Sequence, residues 1–181
     1  MSEAAINDLA LETRFLPRFL RDPDAEALLQ VCAEKFAWDR SIPDRPFARF
    51  GVPYGDDENR EVIVFHPEVE PLLSRIEEEF GFRPDSCSVH WYLRGESFVG
   101  FHSDNIEDIA DGTGVIIFSL GAARVLRFRW KQDPSVTRDF LLERGSLLFM
   151  SRAVQEDWKH GVPRQPDTGE RMSLVFRKIP R

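Results

Sequence analysis

Val115-Ile116-Ile117-Phe118-Ser119-Leu120-Gly121-Ala122-Ala123-Arg124-Val125-Leu126-Arg127-Phe128-Arg129-Trp130 is the stretch on which the fold turns. Val115–Leu120 is a short apolar run, rich in β-branched and aromatic side chains and ended by a glycine, which reads as a strand. In Arg124–Trp130, Leu126, Phe128 and Trp130 alternate with Arg127 and Arg129, the period of a strand with unlike faces. The two arginines either meet phosphates on an outer face or keep a strand soluble.

The same texture extends outward. Ser86–Leu93, Phe98–His102, Thr137–Leu142, Ser146–Met150 and Met172–Lys178 are further strand candidates, most of them bounded by Gly, Pro, Asp or Asn. Seven or eight short strands at roughly ten-residue spacing predict a sandwich, barrel or jelly roll rather than a parallel α/β sheet. Helices come first. Asp22-Pro23 offers an N-cap and an N1 proline, after which Leu28, Val31, Cys32 and Phe36 recur at helical spacing. A second helix from Pro67 places Val69, Leu72, Leu73, Ile76 and Phe80 on one stripe, with Gly81 as its C′ residue. Ser41–Arg60, rich in Pro, Gly and charge, reads as loop with a short strand. The expected class is α+β in one domain over 1–181, with helices and a loop region in 1–85 and a β core in 86–179.

Composition narrows the function. With 181 residues, 42% hydrophobic and 12% aromatic, the chain can build a packed core, which excludes wholesale disorder. No apolar run approaches the roughly 18–20 residues that span a bilayer. Met1–Ala10 carries Glu3 and Asp8 without a basic or apolar leader region, so no secretory signal is expected. Two cysteines, Cys32 and Cys87, are too few for a disulfide framework, so the expected location is cytoplasmic. A net charge of −7 argues against gripping nucleic acid by bulk charge but leaves room for a local basic groove. Charge is uneven: Tyr54–Phe80 holds nine carboxylates against two arginines, and Arg124–Arg152 holds seven basic residues against three acidic ones. The acidic stretch solvates a helix face; the basic one either does the same or lines an anion groove.

Two constellations carry chemistry. In a strand, positions i and i+2 share a face, so His102 and Asp104 converge at a strand end, and His160 from a distant strand completes a two-histidine, one-carboxylate face. That is the ligand pattern of non-haem Fe(II) oxygenases; taken alone, it also describes a solvated His–Asp pair beside an unrelated histidine. The second is Arg171-Met172-Ser173-Leu174-Val175-Phe176-Arg177, where Arg171, Ser173, Val175 and Arg177 share one face and Met172, Leu174 and Phe176 the other. If the apolar face packs against helices, two guanidiniums point inward, and a dicarboxylate could satisfy both forks; a solvent-facing edge strand is the other reading.

Together, His102-x-Asp104, Gly145-Ser146-Leu147-Leu148, Trp158-Lys159-His160 and Arg171-x-Ser173-x-Val175-x-Arg177 resemble the AlkB family of Fe(II)/2-oxoglutarate dioxygenases, most of all its nucleic-acid repair branch. The resemblance includes Val115–Arg129, covers roughly Ser86–Ile179, and continues weakly into Pro46–Tyr54, which is similar to a substrate-holding loop. It implies a jelly-roll (double-stranded β-helix) core with His102, Asp104 and His160 as iron ligands. It further implies Arg171 on the far carboxylate of 2-oxoglutarate, Arg177 near the metal-chelating carboxylate, and Tyr92 hydrogen-bonded to the co-substrate, with Ser173 and His90 beside them. The chain departs from the family pattern at His90 and at Ser173 and Val175, where asparagine, asparagine and threonine are common. Ile106 stands where repair members often carry a carboxylate, with Glu107 next to it as the alternative base contact.

The implied cofactors are Fe(II), 2-oxoglutarate and O₂. The implied reaction couples decarboxylation of 2-oxoglutarate to succinate with hydroxylation, which on an N-methylated base releases formaldehyde. The expected partner is alkylated nucleic acid, with a flipped or single-stranded base, met by Tyr54, Phe50, Trp91, Arg49, Glu107 and Arg127. A small molecule or protein substrate for the same chemistry is the alternative, and a binding module without turnover a third. No membrane association and a monomer are expected.

Overall fold

The structure, a computed structural model, describes residues 2–55 and 61–180, with side chains from residue 7 onward. The acidic run Asp56-Asp57-Glu58 lies outside the described residues. In chain order the elements are α1 (Ser2–Glu12), β1 (Thr13–Leu16), α2 (Asp22–Lys35), β2 (Phe47–Gly51), α3 (Glu70–Phe80, entered through a 3-10 turn at Pro67–Val69), β3 (Ser86–Tyr92), β4 (Val99–His102) and β5 (Gly114–Gly121). They continue with β6 (Arg124–Trp130), β7 (Thr137–Leu142), β8 (Leu147–Ser151), α4 (Val154–Asp157), β9 (Trp158–Val162) and β10 (Arg171–Arg177).

These strands form two antiparallel sheets, one ordered β1-β8-β5-β10-β3-β2 and the other β4-β9-β6-β7. From β3 onward the chain changes sheet at almost every connection, the winding of a jelly roll, and the helices make the class α+β. Two apolar layers hold it together. On the outer face of the larger sheet, Met172, Leu174 and Phe176 pack with Leu28, Leu29 and Cys32 of α2 and Leu72, Leu73 and Ile76 of α3. Between the sheets, Val115, Ile117 and Val175 meet Leu126, Phe128, Trp158 and Val162. Full burial of each large apolar side chain contributes about 1.5–3 kcal/mol, so the alternation in β10 is anchored from both sides.

The expected helix stop holds. Gly81 has φ +74° and its N–H donates to the Glu77 carbonyl at 2.9 Å, a left-handed cap that glycine adopts without steric cost. The start of α2 differs from expectation: Asp22 is already helical, Arg21 occupies the N-cap without a side-chain capping bond, and Pro23 stays in the first turn. Asp22 and Asp24 still favour that end through the helix dipole. The sequence reading also left out α1, β1 and β9. All three are short or weakly patterned, and β9 is interrupted by Gly161, whose absent side chain lets Val99 and Gly100 approach closely. Among the described residues no helix is long and apolar enough to cross a membrane.

Candidate active site

The mouth between the sheets is built by β4 and β9. His102 and His160 are direct cross-strand partners, with ring centroids 4.5 Å apart, and Phe128 of β6 lies against His160 at 5.8 Å. Asp104 follows β4 in a segment pinned to the α4–β9 region. Its N–H donates to Gln155 Oε1 at 2.9 Å, and Ser103 Oγ donates to the Trp158 carbonyl at 2.8 Å. Asp104 Oδ2 then stands 3.9 Å from His160 Nε2. Its Oδ1 accepts from Arg177 Nη2 at 2.8 Å and from the Tyr54 hydroxyl at 3.0 Å.

The protonation states suit ligands. His102 Nδ1 lies 2.9 Å from the Gly100 carbonyl, which can only accept, so Nδ1 carries a proton and Nε2 is the nitrogen turned toward a ligand position. Burial pushes His160 down to about 4 against the pull of Asp104, so it is neutral near pH 7. Burial alone would raise Asp104, but Arg177 and the two imidazoles outweigh it and hold the carboxyl below the usual range. Tyr54 is pushed upward by burial and by the Asp104 carboxylate, which keeps its phenol a donor.

Behind these groups lies a cavity of about 160 Å³ whose lining includes His90, Tyr92, His102, His160, Arg171, Ser173, Val175 and Arg177. Arg171 is 1% exposed, donates through Nη2 to Ser119 Oγ at 2.9 Å, and sits over the Tyr92 ring at 5.1 Å. His90 Nδ1 is 2.8 Å from Arg45 Nη1. Among the described residues, buried atoms without a hydrogen-bond partner in this region include Asp104 Oδ2, His160 Nδ1, Gln155 Nε2, and Nε and Nη1 of both Arg171 and Arg177. Leaving buried charge uncompensated costs several kcal/mol, so the site is built for charged occupants. Free guanidinium edges fit a dicarboxylate, and Asp104 Oδ2 beside the imidazoles of His102 and His160 fits a divalent cation. The fit extends to the pairs only: among the described residues no three His, Cys, Asp or Glu side chains close into a complete ligand cluster. The Asp104 carboxylate is drawn instead toward Arg177 and Tyr54.

The expected substrate residues fare differently. Tyr54, expected to hold the substrate, touches Asp104 and lies under Arg177, 3.9 Å from the ring centroid, so it is not a platform separate from the metal region. Phe50 packs against Phe36 at 4.6 Å in the helix-side core. Trp91 takes the face of β3 opposite His90 and Tyr92, packing in a tilted arrangement against Trp38 at 5.0 Å and donating to Glu170 at 3.1 Å. Strand alternation explains both corrections. Arg127 lies on the outer face of β6, paired through two 2.7 Å bonds with its cross-strand neighbour Asp139. Arg49 lies over Phe47 at 4.9 Å and lines a separate small cavity next to Tyr54. Glu107 is exposed on the turn after Asp104 and lines no part of the main cavity. Sequence reasoning missed Arg45, Gln155 and Ser119. Arg45 and Gln155 lie in segments without strand periodicity, and Ser119 reads as a polar interruption of an apolar run.

A family model described as the 2OG-Fe(II) oxygenase superfamily matches residues 52–177. The chain is 32% identical over 124 residues to "Alpha-ketoglutarate-dependent dioxygenase alkB homolog 3" of Homo sapiens, covering 64% of this chain and 43% of that protein. The counterpart from Rattus norvegicus is 28% identical over 184 residues, covering 90% and 62%. "DNA oxidative demethylase ALKBH2" of Homo sapiens is 32% identical over 122 residues, covering 60% and 46%. The chain thus spans less than two thirds of these curated relatives. Among solved structures, OsALKBH1 superposes with a TM-score of 0.68 at 18% identity, covering 92% of this chain and 98% of that one. A Pseudomonas putida prolyl-4-hydroxylase gives 0.59 at 19%, covering 99% and 100%. These structures share the jelly-roll fold.

Proposed function

The chain belongs to the 2OG-Fe(II) oxygenase superfamily, and from that premise we propose that it is an Fe(II)- and 2-oxoglutarate-dependent dioxygenase that dealkylates N-alkylated nucleobases. The observation that carries the oxygenase reading is the pair of buried guanidiniums, Arg171 and Arg177, with unpartnered N–H groups at a cavity that also holds His102 and His160. The substrate class is supported by similarity to relatives whose names specify alkB homologues and DNA oxidative demethylases.

His102 Nε2, Asp104 and His160 would hold the iron, and Arg171 would take the carboxylate farther from it. When bound, Fe(II), 2-oxoglutarate and O₂ supply oxidative decarboxylation to succinate and CO₂ coupled to hydroxylation of a C–H bond, and a hydroxylated N-methyl group leaves as formaldehyde. The protein's own part is orientation and exclusion of water. Gly100 fixes the His102 ring, Gln155 and Ser103 fix the Asp104 segment, and Arg177 with Tyr54 aligns its carboxylate. The apolar layer containing Ile117, Leu126 and Val162 dries the cavity's inner wall.

Formaldehyde and succinate release from methylated single-stranded DNA and RNA, in the presence of iron, 2-oxoglutarate and ascorbate, tests the whole reading. A second reading, the same chemistry on a small molecule or protein, is favoured by one finding: Phe50, Trp91 and Arg127 face away from the cavity. Succinate formation driven by such a substrate, without formaldehyde from any oligonucleotide, would select it.

A further inference from the structure

Among the basic residues of the Arg124–Arg152 stretch, Arg124 alone is fully buried, at 0% exposure. On β6 it shares the inward face with Leu126 and Phe128, so a cation fills a position where strand parity calls for an apolar side chain. Its N–H groups all meet neutral acceptors. Nη2 donates to the Ser97 and Pro163 carbonyls at 2.9 and 2.7 Å, Nη1 to the Arg94 carbonyl at 3.4 Å, and Nε to Gln165 Oε1 at 3.2 Å. The β3–β4 turn is thereby clamped to the β9–β10 loop. The hydrogen bonds are satisfied, but the charge is not: among the described residues Arg124 forms no ion pair, and Glu96, the carboxylate that acts on it, is exposed. Arg124 and Arg171 stand beside the same ring, with guanidinium carbons 5.6 Å and 5.1 Å from the centroid of Tyr92, which lines the cavity. Arg171 is bonded to the Ser119 hydroxyl rather than to an acid, whereas Arg177 is paired with Asp104. Burial pushes Arg171 down, and Arg124 adds to this against the pull of Tyr92. Two buried like charges without counter-ions repel strongly where the dielectric constant is low.

Resting on the 2-oxoglutarate reading above, we propose that Arg124 is a specificity-determining residue for the co-substrate. Its uncompensated charge, beside Tyr92 and Arg171, holds the inner end of the cavity at positive potential and selects a dicarboxylate over a monocarboxylate. Arg124 lines no part of the cavity and acts through space. The clamp on the two loops needs donors only, so the net charge is left over, and a second carboxylate in the cavity relieves its repulsion with Arg171. One charge roughly 10 Å from a carboxylate, at an effective dielectric constant of about 20, changes affinity on the order of tenfold.

Gln165→Glu separates the charge from the clamp. It has the same shape, keeps the oxygen that accepts from Arg124 Nε and from the Val125 amide at 2.8 Å, and sets a carboxylate against the guanidinium. Calorimetric titration into protein loaded with Mn(II) reads binding without turnover. The two probes are 2-oxoglutarate and its amide at the far carboxylate, which keeps the shape and lacks that charge. Gln165→Glu is expected to weaken 2-oxoglutarate binding by about tenfold, to weaken amide binding several-fold less, and to unfold at the same or a higher temperature. Arg124→Lys keeps the charge and loses most of the clamp, so it should unfold at a lower temperature and still prefer 2-oxoglutarate to the amide. If Arg124→Lys does not fold, Gln165→Glu carries the test. Unchanged 2-oxoglutarate affinity in Gln165→Glu, equal losses for the two probes, or a lowered unfolding temperature overturns the proposal alone, as does a lost preference in folded Arg124→Lys. An unaltered protein that takes up no 2-oxoglutarate overturns the co-substrate reading, and the role of Arg124 with it.

Discussion

Replacing Tyr54 with phenylalanine removes one oxygen and keeps the ring beneath Arg177. That oxygen donates to Asp104 Oδ1 at 3.0 Å and accepts the Asn105 amide at 3.3 Å. A hydrogen bond to a charged group is worth about 1.5–3 kcal/mol. Because Oδ1 keeps its 2.8 Å bond from Arg177, the lower end applies. At about 1.4 kcal/mol per tenfold, this is about tenfold in metal affinity, the low end of the 10- to 100-fold typical when a ligand loses its outer partner. Titration of Mn(II) into metal-free protein reads it directly, and uncoupled decarboxylation of 2-oxoglutarate should fall in parallel. Tyr54→Ala should be worse, since Arg177 then also loses the ring it lies against, which loosens its own hold on Asp104. The reasoning fails if both variants bind Mn(II) as the unaltered protein does while oligonucleotide binding weakens by about 1–3 kcal/mol, the worth of one base–aromatic stack. That result would make Tyr54 a substrate platform and leave Asp104 to be aligned by Arg177 alone.

His102→Ala, Asp104→Ala and His160→Ala should each abolish metal-dependent succinate formation in a folded protein, and undiminished turnover in one would remove that residue from the iron site. Arg171→Ala should raise the Michaelis constant for 2-oxoglutarate far more than it alters Mn(II) affinity, since breaking a buried charge pair costs about 3–5 kcal/mol; an unchanged constant contradicts the placement. Arg127→Ala should leave oligonucleotide affinity unchanged and cost about 0.2–1 kcal/mol of stability, the worth of an exposed ion pair, so a clear loss of affinity would bring the outer face of β6 back into the substrate path. The buried imidazoles fix a pH dependence: His90 and His160 are held down to about 3 and about 4 from 6.5, so the unfolded chain binds protons that the folded chain refuses. Stability is therefore full above about pH 6.5 and falls with acidification, by about 1.4 kcal/mol per pH unit for each ring, until about pH 4 for His160 and about pH 3 for His90. Urea unfolding between pH 7 and 5 should show a slope about 1 kcal/mol per unit shallower in His90→Asn, and equal slopes would count against a neutral His90.

What the sequence disclosed and what it withheld follow from the range of the forces involved. The inward face of β10 was legible because alternation is a local property: once Met172, Leu174 and Phe176 are apolar, Arg171, Ser173, Val175 and Arg177 must point the other way, and only the side that faced the helices had to be inferred. Gly81 was legible for the same reason, since a left-handed cap is decided within one helical turn. His102 and Asp104 share two residues of one segment, but their meeting with His160 depends on β4 and β9 pairing, and β9 has no pattern of its own to announce it. The aromatic residues show the limit most plainly. Phe50, Trp91 and Tyr54 are equally suited by type to stack on a base, and what separates them is parity within β2 and β3 and where the chain runs after β2. Parity put Phe50 and Trp91 into or against the helix-side core. Tyr54, beyond the last paired residue of β2, was free to reach Asp104, 50 residues away in sequence. The contact of Arg45 with His90 is of the same kind: a charged side chain in an irregular turn acquires its role only after the sheet has placed its partner. Loops carry the residues that tune the site, strands carry those that form it, and only the second group leaves a period in the sequence.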